Sequence, residues 1–450
     1  MYGECVRSLL YLRPYSRHPH RLRPFACFTS VEKRDKKDKV IVISGPTGAG
    51  KSRVAIDVAR RLNGEIISAD SVQVYRGLDV GSAKPSLGER KEIPHHLIDI
   101  VDPCDDYSAG QYYEDARQAT QDILNRGRVP VVVGGTGLYL RWFIYGKPDV
   151  PKATSELSFG TNKELVEFQK KGDWEAAVHL VVQAGDPTAQ LFPANNWYRL
   201  RRSLEIIKAS GSPPSNFEIP YNTFKGKMKE APTKYGSDTD LVKMVKSENL
   251  DYDFLCFFFS SYRPELYRSI DSRCEDMLSG NFGILLEAQW LLNMGILPNS
   301  NSASRAIGYR QAMEYLQHCR EQGGRTSSTD FFNFLSEFQR ASRNFAKRQF
   351  TWFRNEHIYT WLDSFQPQED LVDFICEAYH NESGNLLVPE SLTIQRDFRS
   401  KQEASALKSY VSHNRHFVHH DGCQHILDWI QESQIHHFPI VNPDLTGEIV

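Results

Sequence analysis

The chain is short of the features that mark secreted, zinc-binding or membrane proteins. Its eight cysteines are scattered over 450 residues with no C-x-x-C pair. This distribution argues against a disulfide framework or a zinc ribbon, and it is typical of an intracellular protein whose cysteines are reduced thiols. No stretch reaches 18 consecutive apolar residues, so the sequence predicts no membrane span. The formal net charge is only −2, so any binding to nucleic acid must depend on local basic clusters.

The first thirty residues differ in composition from the rest of the chain. They contain five arginines and a single acidic residue, Glu4, and no long apolar segment. An arginine-rich, acid-poor leader favours a transit peptide for a plastid or mitochondrion over a secretory signal. A disordered cytosolic extension is the alternative, and the sequence leaves both open. A charged linker at residues 32–38 ends this part.

The most informative stretch of the chain runs from residue 39 to residue 52. Four β-branched residues at 40–43 lead into GPTGAGKS, which matches G-x-x-x-x-G-K-[ST] between a strand pattern and a helix pattern. In such a loop the backbone N–H groups surround a phosphate, and the following helix adds its positive end. Lys51 would bind the outer phosphate oxygens, and the Ser52 hydroxyl can ligate Mg²⁺. The predicted phosphate-binding residues are Gly45, Pro46, Thr47, Gly48, Ala49, Gly50, Lys51 and Ser52.

Apolar strands that alternate with helical patterns follow, at residues 65–68 and 129–133. They predict an α/β protein with a P-loop NTPase-like parallel sheet covered by helices. Asp70 and Thr136 fall just beyond strands, at the sheet edge where the P-loop also lies, so we expect one shared site. Asp70 can hold Mg²⁺ through water or accept a proton, and Thr136 can donate to phosphate oxygens. A turn or cap aspartate and a tight glycine turn are the alternatives.

Basic residues are concentrated at three places. Residues 199–202 read RLRR, residues 304–310 read SRAIGYR, and residues 340–354 read RASRNFAKRQFTWFR. Basic residues with interleaved aromatics suit an RNA backbone with stacking on exposed bases. An amphipathic helix with buried aromatics and solvated arginines explains the third segment equally well.

Seven blocks, taken together, resemble the tRNA dimethylallyltransferase family, also called tRNA isopentenyltransferases. The resemblance runs from about residue 40 to 361 and is to plant-organelle and bacterial-type members that lack a C-terminal zinc finger. The blocks are GPTGAGKS, SADSVQVYRGLDVGSAKP, PHHLIDIVDP, VVGGTGLYL, DPTAQLFPANNWYRLRRSLEI, RAIGYRQAMEYL and SRNFAKRQFTWFR. One departure is Asn195-Asn196, where the family often has an aspartate, which predicts a weaker local helix cap.

The resemblance implies a specific reaction and a set of residues. Members transfer a dimethylallyl group from dimethylallyl diphosphate to the exocyclic amine of an adenine beside the tRNA anticodon, a source of cis-zeatin-type cytokinins. Asp70 would be the general base, with Lys51, Thr136 and Arg199 on the diphosphate side, and Mg²⁺ the expected cofactor. Implied contacts with the tRNA anticodon stem-loop are Asp70, Ser71, Val72, Gln73, Tyr198, Arg199, Arg202, Arg305, Gly308, Tyr309, Arg310, Arg343, Lys347, Arg348 and Gln349.

The resulting division of the chain has five parts. They are a leader and linker at 1–38, a P-loop core at 39–146, a helical tRNA-binding insertion at 147–193, the remaining core with basic helices at 194–361, and an extension of unknown role at 362–450. We expect a monomer. The alternatives are an adenylate isopentenyltransferase acting on free AMP, ADP or ATP, a P-loop small-molecule kinase, and a nucleotide-binding regulatory protein without chemistry.

Overall fold

The computed structural model describes residues 37–224, 250–280, 282–382, 386–394 and 401–434. The predicted transit peptide therefore lies outside the described residues. Within them, no helix combines the length and apolarity needed to cross a membrane.

A six-stranded sheet organises the chain. Its strands are β1 (Lys39–Ser44), β2 (Gly64–Ser68), β3 (His95–His96), β4 (Val129–Gly134), β5 (Asp253–Ser260) and β6 (Thr360–Asp363), in the order β3-β2-β4-β1-β5-β6. Every pairing is parallel. The central strands are apolar throughout because helices cover the sheet, and residues 40–43 have no exposed surface. The predicted α/β parallel sheet is confirmed.

The described residues also form α-helices, which are numbered here in chain order. They are α1 (Lys51–Arg61), α2 (Leu87–Glu92), α3 (Ala109–Asn125), α4 (Gly137–Tyr145), α5 (Ser155–Lys171), α6 (Trp174–Ala184), α7 (Trp197–Ser210), α8 (Arg263–Asp276), α9 (Gly283–Asn293), α10 (Tyr309–Glu321), α11 (Ser328–Phe353), α12 (Gln368–His380), α13 (Lys401–Lys408) and α14 (Gln424–Gln434). Short 3-10 segments occupy Pro187–Leu191, Pro214–Asn216, Glu390–Leu392 and His420–Cys423.

Helices α5, α6 and α7 form a unit with its own hydrophobic core. Leu165, Val181, Leu200 and Leu204 pack together in a cluster separate from the one around the sheet. The helical insertion is thus present, but it continues through α7 to Ser210. The boundary expected at residue 193 therefore lies inside this unit. The many arginines of α7 obscured, in the sequence, the apolar face with which this helix packs on α5 and α6.

The segment that follows residue 361 begins inside the core. Strand β6 ends at Asp363 and pairs with β5, and α12 packs against α1. Arg61 on α1 forms ion pairs with Glu369 and Asp373 on α12. The boundary at 361 therefore splits a strand, and the extension proper starts after α12.

Candidate active site

The loop between β1 and α1 is fitted tightly against β5 and α8. A Cβ at Gly45, whose φ is +153°, would lie 2.7 Å from the Phe259 carbonyl oxygen. A Cβ at Gly48, whose φ is +81°, would lie 2.9 Å from Ile270 Cγ1. Glycine is therefore needed at both positions, by conformation and by space. The loop leads directly into α1, so its N–H groups and the helix end share one concave surface.

Lys51 lies at the centre of this loop. Its ammonium donates to the Pro46 carbonyl oxygen at 2.7 Å. Burial, followed by the charge of Arg273, lowers the pKa of Lys51 to about 7, although Asp70 acts in the opposite direction. The amine is therefore held in a pocket that favours its neutral form, and an anion placed there would restore its charge.

Gln349 on α11 joins the loop to the glycine turn after β4. Its Oε1 accepts from the Thr47 N–H at 3.0 Å, and its Nε2 donates to the Gly135 carbonyl oxygen at 3.0 Å. The side chain is buried and both of its polar ends are used. Gln349, which was expected to contact tRNA, therefore holds the phosphate loop and the glycine turn together in this structure.

Asp70 directly follows β2 and closes a turn. Its Oδ1 accepts from the Val72 N–H at 2.8 Å. Thr136, the N-cap residue of α4, accepts the neighbouring Ser71 N–H on its Oγ1 at 3.2 Å. The structure thus brings Asp70 and Thr136 together, as expected, at the sheet edge that carries the P-loop. Thr136 shapes the turn that presents the carboxylate.

Arg273 is a site residue that sequence reasoning missed. It lies on α8, and its Nη1 donates to Thr47 Oγ1 at 3.1 Å, while Ser269 one turn earlier donates to the Gly48 carbonyl oxygen at 3.1 Å. Burial lowers the pKa of Arg273, and among the described residues it forms no ion pair. A usable signal existed: β5 neighbours β1, so the helix after β5 must begin beside the P-loop.

Two cavities of about 470 Å³ each meet at this point. The loop cavity is lined by Lys51, Ser52, Gly135 and Gln349, among others. The rim cavity is lined by Ser71, Val72, Thr136, Tyr139, Arg305 and Arg348, among others. Both are bounded by the same five residues, which are Thr47, Asp70, Ser82, Arg273 and Phe345. A molecule in one cavity would therefore reach a molecule in the other beside Asp70.

Comparison with known proteins assigns this arrangement to a family. The IPP transferase family model matches residues 73–356, and an isopentenyl transferase model matches residues 38–98. The chain is 60% identical over 407 residues to tRNA dimethylallyltransferase 9 of Arabidopsis thaliana, covering 89% of this chain and 88% of that protein. The chain belongs to the tRNA dimethylallyltransferase family.

Other relatives agree with that assignment. A tRNA dimethylallyltransferase of Protochlamydia amoebophila is 37% identical over 354 residues, covering 78% of this chain and 92% of that protein. The crystal structure of the full-length tRNA isopentenylpyrophosphate transferase of Bacillus halodurans is 30% identical, with a TM-score of 0.50 over 77% of this chain and 98% of that chain. A eukaryotic dimethylallyltransferase acting on tRNA, 24% identical with a TM-score of 0.55 over 83% of this chain and 84% of that chain, shares the fold.

In this family member, part of the expected tRNA-binding set lies at or beside the rim cavity. Ser71, Val72, Arg305 and Arg348 line it, and Lys347 is exposed on α11 next to Arg348. Neither Lys347 nor Arg348 forms an ion pair with another described residue. Arg348 therefore contributes positive charge to the lining of the rim cavity, and Lys347 contributes positive charge to the exposed surface of α11.

Other members of that set are used inside the protein. Tyr309 is fully buried and donates its hydroxyl to Glu287 at 2.7 Å. A Cβ at Gly308, which has a φ of +92°, would lie 2.7 Å from Ile284 Cδ1. Arg343 is ion-paired with buried Asp271. The SRAIGYR block therefore supplies packing through Gly308 and Tyr309 as well as the exposed Arg305, and Arg343 on α11 is engaged in an internal ion pair.

Two further positions lie inside or away from the cavities. The Gln73 amide donates to the carbonyl oxygens of Ser82 and Ala83 at 3.2 and 3.3 Å, so it fixes the loop that lines both cavities. Arg310, in the first turn of α10, is half-buried and lines neither cavity.

The residues expected on α7 lie in the helical unit. The Arg199 guanidinium lies over the Phe192 ring at 4.3 Å and lines neither cavity, whereas Arg273 lines both. Tyr198 lines a small cleft of about 80 Å³ between this unit and the core, and Arg202 pairs with Glu205 at 3.2 Å. Asn196 accepts from the Arg199 N–H at 3.2 Å, so α7 has a side-chain N-cap at the position where a weaker cap was expected.

Proposed function

We propose that this chain transfers a dimethylallyl group from dimethylallyl diphosphate to the exocyclic amine of the adenine beside the anticodon in tRNA. The observation that carries the proposal is the junction of the two cavities at Asp70, Thr47 and Arg273. One cavity is built for an anion and the other opens beside exposed cations. A donor and an acceptor bound in them would have their reacting atoms next to one carboxylate.

The diphosphate belongs in the loop cavity. The backbone N–H groups of the P-loop, the Lys51 ammonium and the Arg273 guanidinium supply positive charge around that space. When the allylic C–O bond breaks, the negative charge that develops on the departing diphosphate is stabilised by these groups. Burial, followed by the charge of Arg273, lowers the pKa of Lys51 to about 7 in the ligand-free pocket, and a bound diphosphate would favour the charged ammonium.

Magnesium is a further element of the proposal. Ser52 and Asp70 both line the loop cavity, and their hydroxyl and carboxylate oxygens are hard donors that suit Mg²⁺. The described residues contain no cluster of three or more His, Cys, Asp or Glu side chains able to hold a metal. This fits an ion held mainly by the substrate phosphates, with Ser52 as protein ligand, where it would neutralise phosphate charge.

Asp70 is placed to remove the proton. Its Oδ1 is bound to a backbone N–H, which fixes the carboxylate and leaves Oδ2 without a protein donor among the described residues. The adenine amine attacks the allylic carbon, the bond to the diphosphate oxygen breaks, and the amine proton passes to the carboxylate. An exocyclic amine is a poor nucleophile, so a positioned base contributes directly to the rate.

The acceptor belongs in the rim cavity, which is lined by Arg305 and Arg348, with Lys347 exposed next to Arg348 on α11. An anticodon-loop adenine is unpaired, so moving it into a cavity costs less than flipping a base out of a duplex. The helical unit α5–α7, with its own core, gives a separate surface for the stem. Both cavities are lined by one chain, so a monomer suffices. The modified adenosine released from tRNA would be a source of cis-zeatin-type cytokinins.

The experiment that tests this proposal offers the enzyme two acceptors at once. Labelled dimethylallyl diphosphate is incubated with unmodified tRNA and AMP in the same reaction, and label is counted in each. The proposal expects label on tRNA, at the adenine beside the anticodon. Label on AMP alone would support the adenylate isopentenyltransferase alternative, and phosphate transfer from ATP to a small molecule without prenylation would support the kinase.

A further inference from the structure

Residues 401–417, called the strap below, lie along helix α8. This segment follows residue 356, where the match to the IPP transferase model ends. It is part of the extension to which the sequence assigned no role. Its contacts concentrate on α8, the helix that carries Arg273.

One face of α8 is turned to the phosphate loop. Ser269 Oγ donates to the Gly48 carbonyl oxygen, and Arg273 Nη1 donates to Thr47 Oγ1, both at 3.1 Å. These two α8 residues are one helical turn apart, so they share a face. Any shift of α8 along or away from the loop would move the Arg273 guanidinium relative to a bound diphosphate.

A second stripe of α8, spaced four residues apart, is turned to the strap. The buried Glu403 carboxylate accepts hydrogen bonds from the backbone N–H and the guanidinium of Arg263, at 2.9–3.1 Å. The Tyr267 ring meets the Tyr410 ring edge to face at 5.5 Å. Asp271, also buried, accepts from the Tyr410 hydroxyl at 2.8 Å.

The last anchor of the stripe is Glu275, which has no exposed surface. Its carboxylate accepts three successive strap N–H groups, from Arg415, His416 and Phe417, at 2.7–3.1 Å. Charge-assisted hydrogen bonds of this kind are stronger than neutral ones. A buried carboxylate without its donors is costly, so these strap N–H groups stabilise Glu275 in its buried position on α8.

We propose that the strap is a positioning element that holds α8 against the phosphate loop and thereby sets Arg273 for diphosphate binding. The strap touches neither cavity, so it acts on the ligand only through α8. It also explains Arg343, which lies between Asp271 and the Ser412 hydroxyl, the latter at 2.8 Å. The idea rests on the proposed function only in taking a diphosphate as the ligand of the loop.

The test is a double-mutant cycle on Glu275 and Arg273, read out as affinity for inorganic diphosphate with Mg²⁺. Glu275→Ala is expected to weaken binding about tenfold, within the range found for coupled neighbours. In an Arg273→Ala background the same change should have no further effect. Asp276→Ala is the matched control, because its contacts with Arg415 and His416 are exposed and worth little. It should leave affinity within twofold.

Several results would overturn the proposal. Additive effects of Glu275→Ala and Arg273→Ala would show that the strap does not act through Arg273, as would an equal effect of Asp276→Ala. If Glu275→Ala does not fold, Tyr410→Phe removes one hydroxyl and leaves every carboxylate of α8 in place. It should weaken diphosphate binding two- to threefold in the wild-type background alone, and unchanged affinity would refute the role.

The readout separates this idea from the proposed reaction. Diphosphate binding requires no prenyl transfer, so a chain that binds diphosphate but prenylates nothing would disprove the function while the cycle still tests the strap. In the active enzyme, Glu275→Ala should raise the KM for dimethylallyl diphosphate and leave the KM for tRNA unchanged. Equal rises in both would indicate general destabilisation and count against the strap.

Discussion

The charge of Lys51 should make diphosphate binding depend on pH in a defined direction. Burial and the neighbouring Arg273 lower the pKa of Lys51 to about 7 in the ligand-free protein. A bound diphosphate stabilises the ammonium, so the pKa rises on binding and the complex takes up a proton. At pH 6 the amine is charged with or without ligand. Above pH 7 the free protein must gain a proton before it binds with full affinity.

The size of the effect follows from the fraction of chains that are charged. At pH 8, a pKa of about 7 leaves roughly one Lys51 in ten protonated, so the apparent Kd should be about tenfold higher than at pH 6, since affinity falls with the competent fraction. The diphosphate itself gains negative charge over this range, which acts in the opposite direction. A reference variant is therefore needed.

Lys51→Arg provides that reference, because a guanidinium stays charged throughout. The assay is isothermal titration of a non-reactive thio analogue of dimethylallyl diphosphate at fixed Mg²⁺, from pH 6 to pH 9. The ratio of wild-type to variant Kd should rise about tenfold from pH 6 to pH 8, with proton uptake seen as a buffer-dependent heat. A flat ratio would refute the lowered pKa and the role of Lys51 derived from it.

Three further outcomes are expected. Arg273→Ala should weaken diphosphate binding, measured by titration, and lower kcat by about 10²-fold, measured by single-turnover transfer, because this is the usual loss for one charge-stabilising donor. Arg199→Ala is the control and should leave diphosphate binding unchanged. Gln349→Met leaves the Thr47 N–H and Gly135 carbonyl unpaired and should lower the free energy of unfolding by about 2 kcal/mol in urea melts. Replacing Lys347 and Arg348 with Ala should reduce the salt slope of tRNA affinity by about 1–2, and an unchanged slope would remove them from the interface.

The parts of the fold and of the site that could be predicted are those that local sequence patterns encode. The P-loop, Asp70 and Thr136 lie at strand ends, and strands read as continuous apolar runs, so the topology alone brings these residues to one edge. Local patterns did not reveal Arg273, because its helix has no motif and its contact with Thr47 is distant in sequence; only the adjacency of β5 and β1 points to that helix. The position of Arg199 in the helical unit could not be predicted either, because similarity to a family block does not show which hydrophobic core a helix packs on.

The strap was also beyond sequence reasoning. Its anchors, Glu403, Tyr410 and the backbone at 415–417, belong to a polar, histidine-containing stretch whose composition predicts a solvated surface. Only the fold shows that carboxylates on α8 are buried beneath it. Long-range polar pairing of this kind leaves no periodicity, and therefore no pattern, in the sequence.

The central claim is that Asp70 is the base for prenyl transfer. It is tested most directly by measuring ligand binding and prenyl transfer separately in the Asp70→Asn variant. The substitution keeps the side-chain shape and the oxygen that caps the Val72 N–H, but removes the base at the junction of the cavities. Single-turnover transfer to tRNA should fall by about 10²–10⁴-fold, while Kd values for the diphosphate analogue and for tRNA stay within a few-fold of wild type. Transfer that persists within a few-fold of wild type would show that Asp70 is not the base.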